Sequence, residues 1–204
     1  MYFPAIFDQL DLQNARAVIL TPEVGLTTDD RWERETAFLR PFLSRLPPGL
    51  VIDYGCGIGR LSRLLIDDGH PVVGIDISPT MLGHAGEQIG LDRLAVAHPS
   101  FLNGQSFQAQ SAIAVWSLQH CVDVLDCIDA IAGCLAKDAP FLVINRDKRY
   151  LPARHHITGR IGFVEDDAID VHSAIRSLFS VEYEEEMPAE LCESGAWLRI
   201  YRKR

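Results

Sequence analysis

The most constraining feature of the sequence is a glycine-rich segment that directly follows a short apolar run. The segment spans residues 51–60 and reads Val-Ile-Asp-Tyr-Gly-Cys-Gly-Ile-Gly-Arg. Glycine tolerates positive φ and lets other groups approach the backbone closely. The first turn of a following helix adds N–H groups without helical partners. The segment therefore predicts a buried strand, a tight turn and a helix, with a ligand lying against the turn. A strand–helix turn without a ligand is the alternative.

Apolar runs and helical patterns alternate through the middle of the chain. Strands that alternate with helices form a parallel sheet covered on both faces. We therefore expect an α/β fold with a Rossmann-like, doubly wound sheet. The predicted strands are 50–54, 71–76, 94–97, 112–117 and 141–145, and the predicted helices are 59–69, 79–89 and 122–135.

The two ends of the chain have different patterns. Residues 1–30 are expected to be irregular, and Asp30 with Glu33 resembles a capping box that starts a helix from Arg31 to about Leu46. After Asn145 we expect an irregular basic stretch, then a helix and two strands. The two strands predict an antiparallel hairpin at one sheet edge. These later segments are 146–163, 164–178, 179–187 and 196–203.

Length, charge and cysteine content favour one acidic domain. The chain has 204 residues and a net charge of −9, which disfavours binding to nucleic acid. Five cysteines without a Cys-x-x-Cys pair favour reduced thiols in a cytoplasm, and no metal site is expected. The N-terminus has no signal-peptide pattern, and no apolar run approaches the roughly 18 residues that span a membrane. Oligomeric state cannot be derived from these features.

The spacing of the glycines separates two kinds of nucleotide site. The dinucleotide fingerprint is Gly-x-Gly-x-x-Gly. Here the glycines at 55, 57 and 59 have a shorter spacing, and Arg60 stands where the third glycine would fall. Asp53 lies two residues before the first of them. A carboxylate there would repel a pyrophosphate but suits the ammonium group of a cofactor that carries an amino acid.

A second carboxylate ends the next predicted strand. This strand reads Val-Val-Gly-Ile-Asp and ends at Asp76, 23 residues after Asp53. A carboxylate in this position can accept hydrogen bonds from both hydroxyls of a ribose. Ile77 and Met81 would then flank an adenine ring.

These two motifs resemble those of the class I S-adenosylmethionine (SAM)-dependent methyltransferases. The resemblance rests on Asp-x-Gly-x-Gly-x-Gly at 53–59 and Asp-Ile-Ser-Pro-x-Met-Leu at 76–82. It continues with Trp-Ser-Leu-Gln-His at 116–120, which is similar to a stretch in small-molecule members of the family. The resemblance covers about residues 48–146. It implies SAM as cofactor and a seven-stranded sheet whose last hairpin is reversed.

The resemblance also implies a set of cofactor-binding residues and a domain plan. We expect a single domain with an N-terminal cap or lid at 1–47, a cofactor-binding core at 48–145 and a substrate region at 146–204. No acid occupies 96–100, after the third strand, so the adenine contact is expected to be mostly backbone. The expected cofactor-binding residues are Asp53, Tyr54, Gly55, Cys56, Gly57, Gly59, Asp76, Ile77, Met81, Trp116 and Ser117.

The substrate side is predicted from a histidine and a basic stretch. His120 follows the fourth strand and is the candidate catalytic base, with a substrate-contacting or merely structural imidazole as the alternative. Residues 146–160 carry five basic side chains and one acidic one. They indicate either a loop that binds an anionic acceptor or a solvated surface loop. The candidate acceptor-binding residues are Arg146, Arg149, Tyr150 and His155.

The predicted activity is methyl transfer from SAM to an oxygen or nitrogen of a small molecule. Two other functions stay open on the sequence. One is a nicotinamide-dependent oxidoreductase, which the glycine spacing disfavours. The other is a protein that binds SAM without catalysis. The family's Asn/Asp-Pro-Pro-Tyr/Phe motif is absent, which argues against the base-amino and glutamine acceptors associated with it.

Overall fold

A computed structural model describes residues 7–8, 11–19, 27–154, 161–166, 168–192 and 195–204. Its helices are α1 (Leu12–Ile19), α2 (Thr28–Leu43), α3 (Arg60–Asp67), α4 (Pro79–Ile89), α5 (Val124–Cys134) and α6 (Val171–Arg176). Its strands are β1 (Val51–Tyr54), β2 (Val72–Ile75), β3 (Leu94–Ala97), β4 (Ser111–Val115), β5 (Pro140–Arg146), β6 (Arg149–Arg154), β7 (Ile161–Asp166), β8 (Phe179–Glu186) and β9 (Ala196–Lys203).

Seven of these strands form one twisted sheet in the order β3-β2-β1-β4-β5-β9-β8. The first five are parallel, and β9 runs antiparallel to both β5 and β8. The predicted doubly wound sheet with a reversed hairpin is therefore confirmed. The strand order reverses between β1 and β4, and open α/β sheets bind ligands outside the carboxyl ends of their strands at such a point.

The central strands of the sheet are buried on both faces because most of their residues are apolar. In β1, Ile52 packs in one apolar cluster with α5 and α6, while its neighbour Val51 packs in a second with α2, α3 and α4. Successive side chains of a strand point to opposite faces, so a short apolar run supplies both clusters. In the part of the chain that the structure describes, no helix is long and apolar enough to cross a membrane.

The N-terminal region differs from the prediction in two ways. The stretch expected to be irregular contains α1, whose Ala15 is buried against Ile58 and Met81. The cap of α2 is Thr27, not Asp30: the Thr27 hydroxyl accepts from Asp30 N, and Thr27 N donates to the Asp30 carboxylate. The capping box thus lies three residues earlier than predicted, because threonine supplies the hydroxyl that this motif uses.

The basic stretch after β5 is a β-hairpin rather than an irregular loop. Strands β6 and β7 pair antiparallel, with Arg149 opposite Asp166 and Tyr150 opposite Glu165. Arg149 forms an ion pair with Asp166, and Lys148 forms one with Glu165. The excess of positive charge at 146–160 is therefore partly neutralised by acids that lie later in the sequence.

The helix predicted at 164–178 is much shorter in the structure. Its first residues belong to β7, and α6 begins only at Val171. The Asp170 carboxylate accepts from Ser173 N at 2.5 Å and caps the helix there. Pairing with β6 takes the earlier residues into a strand, although their pattern alone is compatible with a helix.

Candidate functional site

A cavity of about 660 Å³ opens at the carboxyl ends of β1, β2 and β4. This volume is in the range of small-molecule sites. Most of the predicted site residues line it: Tyr54, Gly55, Gly57, Asp76, Ile77, Met81, Trp116, Ser117, His120, Arg146 and Tyr150. Four do not line it, namely Asp53, Cys56, Gly59 and Arg149. His155 lies outside the described residues.

The glycine loop brings β1 and the end of β4 into close contact. Gly55, Gly57 and Gly59 all have positive φ, of 77°, 54° and 82°. A Cβ atom at Gly55 would lie 2.2 Å from Cβ of Ser117, so this position has no room for a side chain. The Ser117 hydroxyl donates to the Tyr54 carbonyl at 2.8 Å and holds the two strand ends together. The loop backbone is thereby exposed to the cavity.

Asp76 lies at the tip of β2 and faces the cavity beside this loop. One of its oxygens accepts from Gly57 N at 2.9 Å, and the other accepts from Ser78 N at 2.9 Å. Burial raises the pKa of Asp76, and these two hydrogen bonds oppose the increase. Each carboxylate oxygen has a second lone pair. Asp76 can therefore accept two further hydrogen bonds from a ligand.

Asp53 lies behind the glycine loop rather than in the cavity. It is 2% exposed, and its carboxylate accepts from the Ser62 hydroxyl at 2.6 Å. Burial raises the pKa of Asp53 to about 6, and the negative charge of Asp76 adds to the increase. The hydrogen bond from Ser62 and the charge of Arg60 act in the opposite direction. The two carboxylates therefore repel each other across the loop.

Glu35 is a central polar residue of this region that the sequence analysis missed. It is fully buried on α2 and accepts from Arg60 at 2.5 Å and from the Trp116 indole at 2.8 Å. Trp116 itself has φ of 58°, which is uncommon for a residue other than glycine. Glu35 carried no detectable motif, since its partners lie 25 and 81 residues away.

Arg31, on the same face of α2, also lines the cavity. Its guanidinium carbon lies 5.8 Å from the centre of the Trp116 ring. Arg31 lies within residues 1–47, for which the sequence predicts a cap or lid, but no ligand contact was predicted for its side chain. A lone arginine at the start of a helix has no pattern that distinguishes it from a surface residue.

His120 is held through both ring nitrogens. Its Nδ1 lies 2.6 Å from the Tyr150 carbonyl, which can only accept, so Nδ1 carries the hydrogen. Its Nε2 lies 3.2 Å from Nε2 of Gln119, whose amide oxygen accepts from Arg146 N at 2.9 Å. The Gln119 amide therefore donates to His120. Burial lowers the pKa of His120 to about 4, so the ring is neutral at pH 7.

The cavity wall around His120 is aromatic and carries one of the predicted arginines. Phe163 of β7 lies 4.8 Å from the His120 ring, and Phe7 lies 5.3 Å from it, measured between ring centres. The Arg146 guanidinium lies 5.5 Å from the centre of the Tyr150 ring. Arg149 points elsewhere, donating to the Val122 carbonyl and pairing with Asp166.

Metal binding has no support in the described residues. Among them, no group of three or more His, Cys, Asp and Glu side chains is arranged to hold an ion. His155 and His156 lie outside the described part of the chain.

Comparison with known proteins finds similarity to methyltransferases over part of the chain. Residues 51–138 match the family model for a methyltransferase domain. The chain is 42% identical over 79 residues to the 2-methyl-6-phytyl-1,4-hydroquinone methyltransferase of Synechocystis, and 55% identical over 38 residues to the 18S rRNA (guanine-N(7))-methyltransferase of Bos taurus. These matches cover 38% and 19% of this chain. They span only 25% and 14% of the relatives' own lengths.

Solved structures give the same fold over nearly the whole chain. The magnesium protoporphyrin IX methyltransferase of Synechocystis, crystallised with bound SAM, superposes with a TM-score of 0.67. The alignment covers 98% of this chain and 94% of that protein, at 18% identity. Residues 51–138 thus match a methyltransferase domain, and the whole chain has the fold of that SAM-bound methyltransferase. The resemblance found in the sequence is confirmed.

Proposed function

We propose that this protein binds SAM in the cavity at the ends of β1, β2 and β4, and transfers its methyl group to an oxygen or nitrogen of a small acceptor. The observation that carries the proposal is the placement of Gly55, Gly57 and Asp76 around one cavity. Their backbone and carboxylate groups suit an adenosyl amino acid. The cavity volume of about 660 Å³ is large enough for such a ligand beside a small acceptor.

The residues present fit the cofactor at each of its parts. Asp76 has lone pairs left for the two ribose hydroxyls, and Ile77 and Met81 supply apolar surface for the adenine. The mutual repulsion of Asp53 and Asp76 favours a ligand with positive charge on this side of the loop. Asp53 would act through this field, since it does not line the cavity. Arg31 would pair with the carboxylate at the amino-acid end.

The protein's own contribution is alignment and the exclusion of water. SAM supplies the activated methyl group when it is bound. The Ser117 hydrogen bond and the Glu35 network hold the loop and Trp116 in position, so that little reorganisation is needed on binding. The N-terminal residues contact the same region, because Asp8 accepts from the Ser78 hydroxyl at 2.9 Å and Phe7 packs on His120. We therefore assign residues 1–47 the role of a cap.

His120 remains the candidate catalytic residue, provided that its Nε2 atom can be released from the hydrogen bond with Gln119. It is neutral and presents Nε2 as an acceptor, but Gln119 already donates to that atom. The Nε2 atom of His120 could take a proton from the methyl acceptor only after the Gln119 amide turned away from it. With a pKa of about 4 it would be a weak base, better suited to orienting a hydroxyl or amine than to holding a proton.

The part of the cavity lined by His120, Arg146 and Tyr150 favours a small methyl acceptor with an anionic group. Arg146 and Tyr150 line the cavity beside the rings of His120 and Phe163, so a cation and apolar surface face the same space. Arg149 is engaged with Asp166, and we therefore assign anion binding to Arg146 instead. A net charge of −9 disfavours a nucleic-acid acceptor. We also propose that the chain forms a single domain and that the protein is located in the cytoplasm.

Calorimetric titration of the full chain with SAM, S-adenosylhomocysteine and NADH tests the proposal. We expect saturable binding of the first two and none of NADH. Incubation with methyl-labelled SAM and a panel of small carboxylate-bearing phenols and amines then tests transfer. Binding of NADH in place of SAM would favour the oxidoreductase. Binding of SAM with no transfer to any acceptor would favour the non-catalytic alternative.

A further inference from the structure

His98 and Pro99 lie at the tip of β3 and line the same cavity as Asp76. The sheet order places the strand tips along the carboxyl edge as β3, β2, β1 and β4. The tips of β3 and β2 are joined directly, because Asp76 N donates to the Ala97 carbonyl at 3.2 Å. His98 and Pro99 are therefore on the side of Asp76 that is opposite the glycine loop.

The order of the strand tips also orders the parts of a bound cofactor. This step rests on the proposed function, in which Asp76 binds the ribose and the glycine loop faces the amino-acid end. The ribose connects the adenine to the amino-acid part, so the adenine lies beyond Asp76, towards the tip of β3. The polar groups that residues 98–101 present to the cavity are therefore the ones available to the edge of the base.

The turn after β3 uses its own backbone N–H groups internally. Pro99 has no N–H. Ser100 N donates to Nδ1 of His98 at 3.3 Å, and Phe101 N donates to the His98 carbonyl at 2.9 Å. The sequence predicts a mostly backbone contact to the adenine, but the three residues 99–101 leave no backbone donor for it.

The same hydrogen bonds fix the tautomer of the neutral His98 ring. The Ser100 N–H can only donate, so Nδ1 of His98 accepts and carries no hydrogen. The Ser100 hydroxyl lies 2.9 Å from the same Nδ1. In a neutral imidazole the other nitrogen then carries the hydrogen. This nitrogen, Nε2, is at the outer end of the ring and has no hydrogen-bond partner among the described residues. His98 is thus an N–H donor in the cavity wall.

We propose that His98 is a binding residue for the adenine of the cofactor, and that its Nε2–H donates to a ring nitrogen of the base. The adenine nitrogens N1, N3 and N7 have a lone pair and no hydrogen, so each can only accept. A donor is therefore the complementary group for them, and Nε2 is the donor that the tip of β3 supplies. The two nitrogens of His98 have separate roles, since Nδ1 caps the turn and Nε2 binds the base.

Calorimetric titration of the full chain with S-adenosylhomocysteine and its 1-deaza, 3-deaza and 7-deaza analogues tests the proposal. Each analogue replaces one ring nitrogen by C–H. We expect one of the three to bind roughly threefold to tenfold more weakly than the parent compound, as the loss of one neutral hydrogen bond implies, and the other two to bind equally well. His98→Asn should weaken binding of the parent compound by the same factor, with no further loss for that one analogue.

Asparagine separates binding of the base from capping of the turn. Its amide oxygen can replace Nδ1 as the acceptor for Ser100 N, because asparagine is a favoured N-cap, but none of its atoms reaches as far as Nε2. Thermal unfolding of His98→Asn should therefore match that of the unmodified protein. His98→Gln has an amide nitrogen at the reach of Nε2 and should recover part of the affinity. His84→Asn is the matched control, since His84 lies in α4 and does not line the cavity.

The outcomes distinguish this inference from the proposed function. If S-adenosylhomocysteine does not bind to the unmodified protein, the proposed function fails and the inference fails with it. If it binds, and all three analogues or the His98→Asn variant match the affinity of the unmodified pair, only the inference is overturned. Nitrogen-15 NMR of the ligand-free protein should find the hydrogen of the neutral His98 ring on Nε2; a hydrogen on Nδ1 would also overturn it.

Discussion

The indole nitrogen of Trp116 donates a 2.8 Å hydrogen bond to the buried carboxylate of Glu35. The same carboxylate pairs with Arg60, so one side chain of α2 holds the end of β4 and the start of α3. Trp116 adopts positive φ at this point. Such backbone strain persists only where surrounding contacts stabilise it. Glu35 therefore connects α2 in the N-terminal region to Arg60, which directly follows the glycine loop, and to Trp116 at the end of β4.

Glu35→Ala should lower the free energy of unfolding by about 3–5 kcal/mol, because it leaves the buried Arg60 guanidinium without its carboxylate. Glu35→Gln should lower the free energy of unfolding by less, since an amide oxygen can still accept one of the two hydrogen bonds. Urea unfolding monitored by circular dichroism measures both. Glu33→Ala, at an exposed position of the same helix, is the control and should change stability by less than about 0.5 kcal/mol. A Glu35→Ala variant as stable as this control would show that the network is not stabilising.

Gly55→Ala should destabilise the protein by at least about 2 kcal/mol and reduce S-adenosylhomocysteine binding. The new Cβ would lie 2.2 Å from Cβ of Ser117, and a φ of 77° is unfavourable for alanine. Gly83→Ala is the matched control, because nothing lies within 4 Å of its Cβ position in α4. Alanine there should stabilise the helix by roughly 0.5–1 kcal/mol. Thermal unfolding and calorimetry distinguish the two variants.

Asp76→Ala should weaken S-adenosylhomocysteine binding by roughly a hundredfold, since hydrogen bonds to a charged group contribute about 1.5–3 kcal/mol each. Isothermal titration at pH 7 measures the affinity. Asp129→Ala, at an exposed position of α5, removes one carboxylate with the same change in net charge and should leave affinity unchanged. Equal affinities for the two variants would refute the ribose assignment of Asp76.

Asp53→Asn should remove a pH dependence of stability. The pKa of Asp53 is raised to about 6 in the folded protein, so between pH 4 and pH 6 the folded state holds a proton that the unfolded chain releases. The unmodified protein therefore loses stability as pH rises through this window, by up to about 3 kcal/mol. The amide of the variant does not titrate. Its stability relative to the unmodified protein should rise from pH 4 to pH 6 and then level off; a difference independent of pH would contradict the assignment.

His120→Asn should reveal a pH dependence of stability that has the opposite sign to that of Asp53. The pKa of His120 is lowered to about 4, so between pH 4 and pH 6.5 the unfolded chain binds the extra proton. His120 therefore makes the unmodified protein more stable as pH rises, by about 2–3 kcal/mol after allowance for its partial exposure. An asparagine amide can still donate to the Tyr150 carbonyl. The advantage of the unmodified protein over the variant should grow from pH 4 to pH 6.5 in urea unfolding. A constant advantage would mean that the ring titrates near its ordinary pKa.

Most of the fold could be predicted because its signals are local. The apolar run at 51–54, the glycines that follow and Pro79 in the first turn of α4 each act within a few residues. The substrate region was harder to predict. The hairpin of β6 and β7 is stabilised by pairs such as Arg149 with Asp166, which are separated by 17 residues. Its basic strand looks like a solvated loop when its acidic partner strand is not considered.

The sequence by itself determined the glycine turn, the two acids at strand ends and the alternation of strands and helices, since these depend on backbone conformation and on the periodicity of neighbouring residues. The tertiary structure alone decided that Asp53 lies behind the loop while Asp76 faces the cavity. It also decided that Glu35 binds Trp116. The physical reason is that burial and hydrogen-bond partners are set by packing between distant segments, and spacing along the chain carries no record of that packing.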